Sequence, residues 1–219
     1  MNKVTIETTE VFPKHVFRAD LPVFDSKNTL LELKKETWNI PATLNQAVST
    51  QNPNILNKPI FKYLKTQIIK IAEQVCQEFY FHDVNELDIT NSWGVKVSQG
   101  SSVSPHKHSN SYLVGTLYLE DKGEPTTFFD FDYNQTFSIF PPTIKNSTSP
   151  IYDRFSFPSK AGSIILFPSS LTHGVLTHKG LEPRYSIAFH VNPIGLIGQG
   201  FKGKTSILNI NKTPEDYKE

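Results

Sequence analysis

The sequence predicts an α+β protein in which helices brace an antiparallel sheet or barrel. One strongly amphipathic helical stretch follows Pro59. From Ile89 onward the character changes to short segments rich in Val, Ile, Thr, Tyr and Phe, punctuated by Gly, Pro, Asn and Asp. Helices gathered ahead of strands belong to the α+β class, because each layer must bury its apolar face against the other.

Residues 1–27 hold β-branched and aromatic runs broken by Pro13 and Pro22, and read as an edge strand with connections. Asn28 is placed to cap a helix through Thr29-Leu30-Leu31-Glu32-Leu33-Lys34-Lys35, since its side chain can satisfy a free backbone N–H. Residues 41–59, with Pro41, Pro53 and Pro59, read as a loop. In the helix that follows, Phe61, Leu64, Ile68, Ile71, Ala72, Val75 and Phe79 recur at three- and four-residue spacing, with Lys62, Lys65, Lys70, Glu73, Gln74 and Gln77 on the other side. Cys76 lies beside the apolar stripe and reads as a buried, inert thiol.

Strands are expected at Trp93–Ser98, Ser111–Glu120, Thr126–Phe131, Phe137–Phe140, Ser163–Phe167 and Arg184–Val191. The stretch from Pro141 to Lys160 is expected to hang over one mouth of the sheet structure. The tail after Gly195 reads as partly mobile. The expected organisation is a helical extension over 1–90, a β core over 91–195 and a C-terminal tail over 196–219.

The 219 residues carry 22 Lys+Arg against 21 Asp+Glu, a net charge of +1, with no concentrated basic stripe. That balance argues against a nucleic-acid-binding module. One cysteine permits no internal disulfide and fits a reducing compartment. The N-terminus lacks the apolar core of a secretory signal, and no stretch approaches the roughly 20 apolar residues of a membrane span. The expectation is a soluble, cytoplasmic protein.

Chemistry concentrates in Pro105-His106-Lys107-His108, in Leu171-Thr172-His173 and in Arg184-Tyr185-Ser186. Two imidazoles at i and i+2 and a distant third converge only if the fold brings separate strands together; imidazole suits iron, copper, zinc or nickel. Period-two alternation puts Arg184, Ser186, Ala188 and His190 on one strand face and Tyr185, Ile187 and Phe189 on the other. An arginine pointing into a barrel is costly unless an anion meets it. A bound dicarboxylate or a neighbouring Asp or Glu would each serve.

The remaining candidates carry two readings apiece. His15, His82 and His178 read as solvated surface. His190 reads as a satisfied interior histidine or as support for the pocket. Tyr112, Thr116 and Tyr118 form a core row or line a cofactor pocket, and Asn91 and Trp93 share that ambiguity.

With these residues in view, the chain resembles the iron(II)/2-oxoglutarate-dependent oxygenase superfamily, and within it a group of small oxygenases from bacteria and phage. The resemblance runs through Ser92-Trp93, Pro105-His106-Lys107-His108-Ser109-Asn110-Ser111 and Gly115-Thr116-Leu117-Tyr118-Leu119. It continues in Gly162-Ser163-Ile164-Ile165-Leu166-Phe167-Pro168, His173 and Arg184-Tyr185-Ser186-Ile187-Ala188-Phe189, and Val11-Phe12-Pro13 also fits. It implies a double-stranded β-helix, a jelly-roll or cupin-like barrel, braced by the N-terminal helices. It implies iron(II) held by His106 and His173, and 2-oxoglutarate whose far carboxylate meets Arg184 and Ser186. The implied activity is that of a dioxygenase, in the first instance a hydroxylase, converting 2-oxoglutarate to succinate while oxidising a second substrate. The implied partners are molecular oxygen and a small-molecule or peptidyl substrate; a homodimer is compatible with this reading.

Position 108 departs from the family pattern, which has Asp or Glu two residues after the first histidine. The first reading is ligation by His106, His108 and His173. A second shifts the frame, with His108 as first ligand and Asn110 in the carboxylate position. A third leaves the position to water or chloride, or to Asp130 or Asp132. Two functions of other classes compete with the oxygenase: a cupin-like metal-binding protein without redox turnover, and a catalytically inactive binding module. Arg184 and Ser186 favour the oxygenase, because a cupin needs no interior arginine there.

Overall fold

A computed structural model of the chain describes residues 14–39, 44–80, 86–130, 154–197 and 208–210. The first strand, β1 (Phe17–Asp20), is followed by helix α1 (Ser26–Lys34). The helix begins earlier than the sequence suggests: Asp25 is its N-cap, and its carboxylate accepts from the backbone N–H of Asn28 at 3.0 Å. Asn28 is thus the capped residue, because a carboxylate three residues upstream serves a first-turn N–H as an amide at 28 would have done.

Three short strands follow in the region read as loop: β2 (Trp38–Asn39), β3 (Leu44–Asn45) and β4 (Val48–Thr50). Runs of two or three residues are too short to show a period. Two 3-10 turns, Ile55–Asn57 and Pro59–Phe61, lead into α2 (Lys62–Glu78). Leu64, Ile68, Ala72, Val75 and Cys76 are its buried side chains. Cys76 sits within the stripe, and burial pushes its thiol up from the ordinary value. Phe79, assigned to the stripe, instead caps the C-terminus and is 56% exposed, with its ring 5.1 Å from that of Phe17 on the edge strand β1.

The remaining strands are β5 (Leu87–Val97), β6 (Ser102–His106), β7 (Leu113–Tyr118), β8 (Thr126–Phe129), β9 (Arg154–Ser156), β10 (Ser163–Pro168), β11 (His173–Val175), β12 (Arg184–Pro193), β13 (Gly195–Ile197) and β14 (Leu208–Ile210). They form an antiparallel seven-stranded sheet, β1-β10-β7-β12-β5-β4-β2, a five-stranded sheet, β3-β6-β11-β8-β9, and the separate pair β13-β14. From β5 to β12 the chain passes repeatedly between the two large sheets. Strands from the first 90 residues complete one edge of the seven-stranded sheet and cap the other. The expected strand 137–140, most of the Pro141–Lys160 stretch, Val11-Phe12-Pro13, His82 and Asp132 lie outside the described residues. The end of that stretch is strand, since Arg154–Ser156 pairs with β8.

Alternation along the strands sorts two cores. Ile164 and Leu166 of β10, Leu113 and Leu117 of β7, and Ile187, Phe189 and Val191 of β12 pack with the helices. The opposite faces meet the five-stranded sheet: Val114, Tyr118, Ile165 and Phe167 against Phe128, and Val95 and Val97 against Val103 and Val175. Gly115 permits the outer packing, because a Cβ there would fall 2.2 Å from the Phe189 ring. In β5 the alternation changes face where the β12 register slips, between His190 paired with Asn91 and Val191 paired with Ile89. Leu87 and Ile89 face the helices, whereas Trp93, Val95 and Val97 face inward. Bulges re-aim side chains in this way.

Candidate active site

The three histidines separated in sequence meet at one end of the space between the sheets. His106 ends β6 and His173 opens β11, and the two are directly paired across the strands. His108 lies just past β6, where its backbone N–H donates to Ser169 O at 3.1 Å. Each of the three offers a ring nitrogen, and these atoms lie within 4.8 Å of one another. Two rings are fixed by carbonyls two residues upstream: Nδ1 of His106 is 2.8 Å from Ser104 O, and Nδ1 of His173 is 2.9 Å from Leu171 O. A carbonyl oxygen only accepts, so Nδ1 carries the proton and Nε2 keeps a free lone pair.

Burial governs the charge on these rings. Desolvation, reinforced by the neighbouring imidazoles, lowers His108 to about 3. Desolvation also lowers His173 to about 4, against the opposing pull of the Leu171 carbonyl, and lowers His190 to about 4 with a contribution from His106. Near neutral pH these rings are neutral, the form that binds metal. Unfolded imidazoles take up protons near pH 6.5, well above these folded values, so the unfolded state binds more protons between about pH 6.5 and 4. Stability of the metal-free protein should therefore be fully present above that window and be lost as pH falls through it. Urea midpoints at pH 7 and pH 5 will test this; equal midpoints would refute it.

The rings open onto a cavity of about 430 Å³, which Lys107, Trp93, Thr116, Thr126, Arg184 and Ser186 help to line. Arg184 is only 2% exposed, and its Nε and Nη2 have no hydrogen-bond partner among the described residues. Its guanidinium lies 5.3 Å from the centre of the Tyr118 ring, and burial pulls it down from its ordinary value. Gly123, at φ +84°, packs against the arginine stem so closely that a Cβ would fall 2.8 Å from it. Ser186, 1% exposed, shares the inward face and the cavity. A buried guanidinium with two nitrogens that have no partner among the described residues, beside a hydroxyl, fits a carboxylate, and three converging imidazoles fit a first-row divalent metal.

The other candidates divide. Thr116 lines the cavity and Tyr118 touches Arg184, but Tyr112 turns to the helix side, where its hydroxyl meets Cys76. Trp93 lines the cavity, whereas the Asn91 amide donates to Pro53 O at 3.2 Å. Asn110 is exposed and outside the cavity lining, and the Asp130 carboxylate accepts from Lys14 at 3.2 Å. His15 is exposed as expected, but His178 is not on the surface. It is 3% exposed, with Glu124 against Nδ1 and the Glu182 carbonyl 2.9 Å from Nε2. Its backbone also exchanges hydrogen bonds with Gly100 and Ser101, which pins the connection into β12. Sequence reasoning missed this pair because its acid lies on a distant loop and nothing local marks it.

Residues 91–190 match a family described as "Putative 2OG-Fe(II) oxygenase". No protein of curated function matches the chain in sequence. Among solved structures, the chain is similar to HygX from Streptomyces hygroscopicus with nickel, 2-oxoglutarate and hygromycin B bound, at 14% identity and TM-score 0.56, covering 82% of this chain and 83% of that one. A Pseudomonas putida prolyl-4-hydroxylase gives 14% identity and TM-score 0.58, covering 83% and 94%. The α-ketoglutarate-dependent epimerase SnoN from nogalamycin biosynthesis gives 14% and 0.59, covering 83% and 80%. At such identities the structural likeness is one of fold, and the family match falls on the segment that carries all three clustered histidines, Arg184 and Ser186. That segment, residues 91–190, is similar to the 2OG-Fe(II) oxygenase family, and the fold of the chain is the one those structures share.

Proposed function

We propose that the protein is an Fe(II)- and 2-oxoglutarate-dependent oxygenase, in the first instance a hydroxylase, whose two-sheet core is a double-stranded β-helix. The observation that carries this reading is Arg184: a buried guanidinium with two nitrogens unpaired among the described residues, in the same cavity as three converging imidazoles. His106, His108 and His173 would hold the metal through Nε2, and Arg184 with Ser186 would hold the far carboxylate of 2-oxoglutarate. The chemistry this pair supplies is oxidative decarboxylation of 2-oxoglutarate to succinate, coupled to oxidation of a second substrate.

The chain's own residues do the positioning. The Ser104 and Leu171 carbonyls orient two imidazoles, Tyr118 and Gly123 confine the arginine, and the apolar walls from Val95, Val103, Val114 and Val175 exclude water around the polar groups. Anaerobic addition of Fe(II) and then 2-oxoglutarate should raise a visible metal-to-ligand charge-transfer band, and admission of oxygen should yield succinate. Metal binding with no response to 2-oxoglutarate would favour the cupin-like reading. A band without succinate, across a panel of amino acids, peptides and small metabolites, would favour an inactive binding module.

A further inference from the structure

We propose that His190 is a positioning residue that sets the tautomer of His108 and so presents its Nε2 to the metal. The inference rests on the metal-site reading above. His106 and His173 are oriented by carbonyl oxygens, which can only accept. His108 is oriented differently: its Nδ1 lies 3.1 Å from Nε2 of His190, a nitrogen that can either donate or accept. A neutral imidazole carries one N–H. For His108 to offer Nε2 as a ligand, its proton sits on Nδ1, and His190 Nε2 accepts it. His190 then holds its own proton on Nδ1.

The surroundings of His190 hold it to this task. Trp93 lies edge-on to its ring at 5.0 Å between centres, and the β12–β5 register slips just after it. That slip, an extra residue in β5, turns Trp93 inward beside a ring that the unbroken alternation of β12 already points there. His190 is outside the set of three whose ligand atoms converge, which makes it a support and not a fourth ligand. A metal-ligating histidine is commonly oriented by a carboxylate or carbonyl. Here the partner is a neutral ring, so His108 gains orientation without gaining negative charge.

The test uses Co(II) titration of the metal-free protein by calorimetry, without 2-oxoglutarate or turnover. His190→Leu, which cannot accept, should weaken Co(II) binding by about 10–100-fold, the usual effect of losing such a partner. His190→Gln, whose amide oxygen can accept from Nδ1–H, should restore most of that affinity. In a His108→Ala background the Leu change should cost nothing further, because the effect passes through His108 alone. In the Zn(II)-loaded wild type, ¹⁵N chemical shifts should report a proton on His108 Nδ1. An equal loss in both backgrounds, a Gln variant as weak as Leu, or no loss in the Leu variant would each overturn the proposal. If wild type binds one Co(II) and His108→Ala binds it as tightly, the metal site stands and this proposal falls. If wild type binds no Co(II), the metal-site reading falls and takes the proposal with it.

Discussion

Replacing His173 by Ala should abolish stoichiometric Fe(II) binding while the fold persists. His173 opens β11, which is paired on both sides, with β6 and with β8, so the backbone that carries it is held independently of its ring. The ring packs against Phe167 at 4.6 Å between centres and lies near Phe128, so its removal costs some packing at one end of the inner core. The metal, however, loses a direct ligand. Loss of a supporting partner already costs about 10–100-fold in affinity, so loss of a ligand should exceed that. Metal content after gel filtration, read beside the far-ultraviolet circular dichroism spectrum, decides the matter. A folded variant with unchanged metal content would remove His173 from the site.

The second large effect is expected at Arg184, where binding and stability should move in opposite directions. Methionine there keeps an unbranched apolar stem and removes a buried charge whose Nε and Nη2 have no partner among the described residues. Replacing buried ionic groups by apolar ones of similar volume is often neutral or stabilising. The cosubstrate-free Arg184→Met variant should therefore melt at or above the wild-type temperature. Its affinity for 2-oxoglutarate should fall by about 100-fold or more, since hydrogen bonds to charged groups are worth about 1.5–3 kcal/mol each and a guanidinium offers two. Arg184→Lys should lie between, with its charge kept and its planar fork lost. Calorimetry showing undiminished affinity in the Met variant would end the case for Arg184 as the carboxylate anchor.

The site was legible in outline because its chemistry sits on residue types that rarely stand without partners in a core. The alternation of Arg184, Ser186 and Ala188 against Ile187 and Phe189 can be read directly from β12, and each group faces as period two requires. The helix after Pro59 was equally plain, apart from its end at Glu78. What stayed hidden depends on long-range pairing. The strand β6 that ends in His106 contains Ser102, Ser104 and Pro105, and nothing in its composition reads as strand; pairing with β3 and β11 makes it one. The bulge in β5 likewise leaves no periodic signal, yet it decides that Trp93 faces the cavity while Ile89 does not. His178 was placed on the surface because its acid partner, Glu124, comes from another loop.

The position of β12 carries a consequence for how this molecule comes apart. The strand is hydrogen-bonded to β5 on one side and β7 on the other, at the middle of the seven-stranded sheet. Local openings of a protein spare such doubly paired strands, which exchange their amides only when the whole unit opens. Ser186 therefore belongs to the last segment to let go, with Arg184, paired to β5 alone, two residues ahead of the doubly paired stretch, while His108, on the connection beyond β6, can fray without disturbing it. Partial unfolding would silence the metal end first and leave the carboxylate anchor standing until the sheet itself is lost.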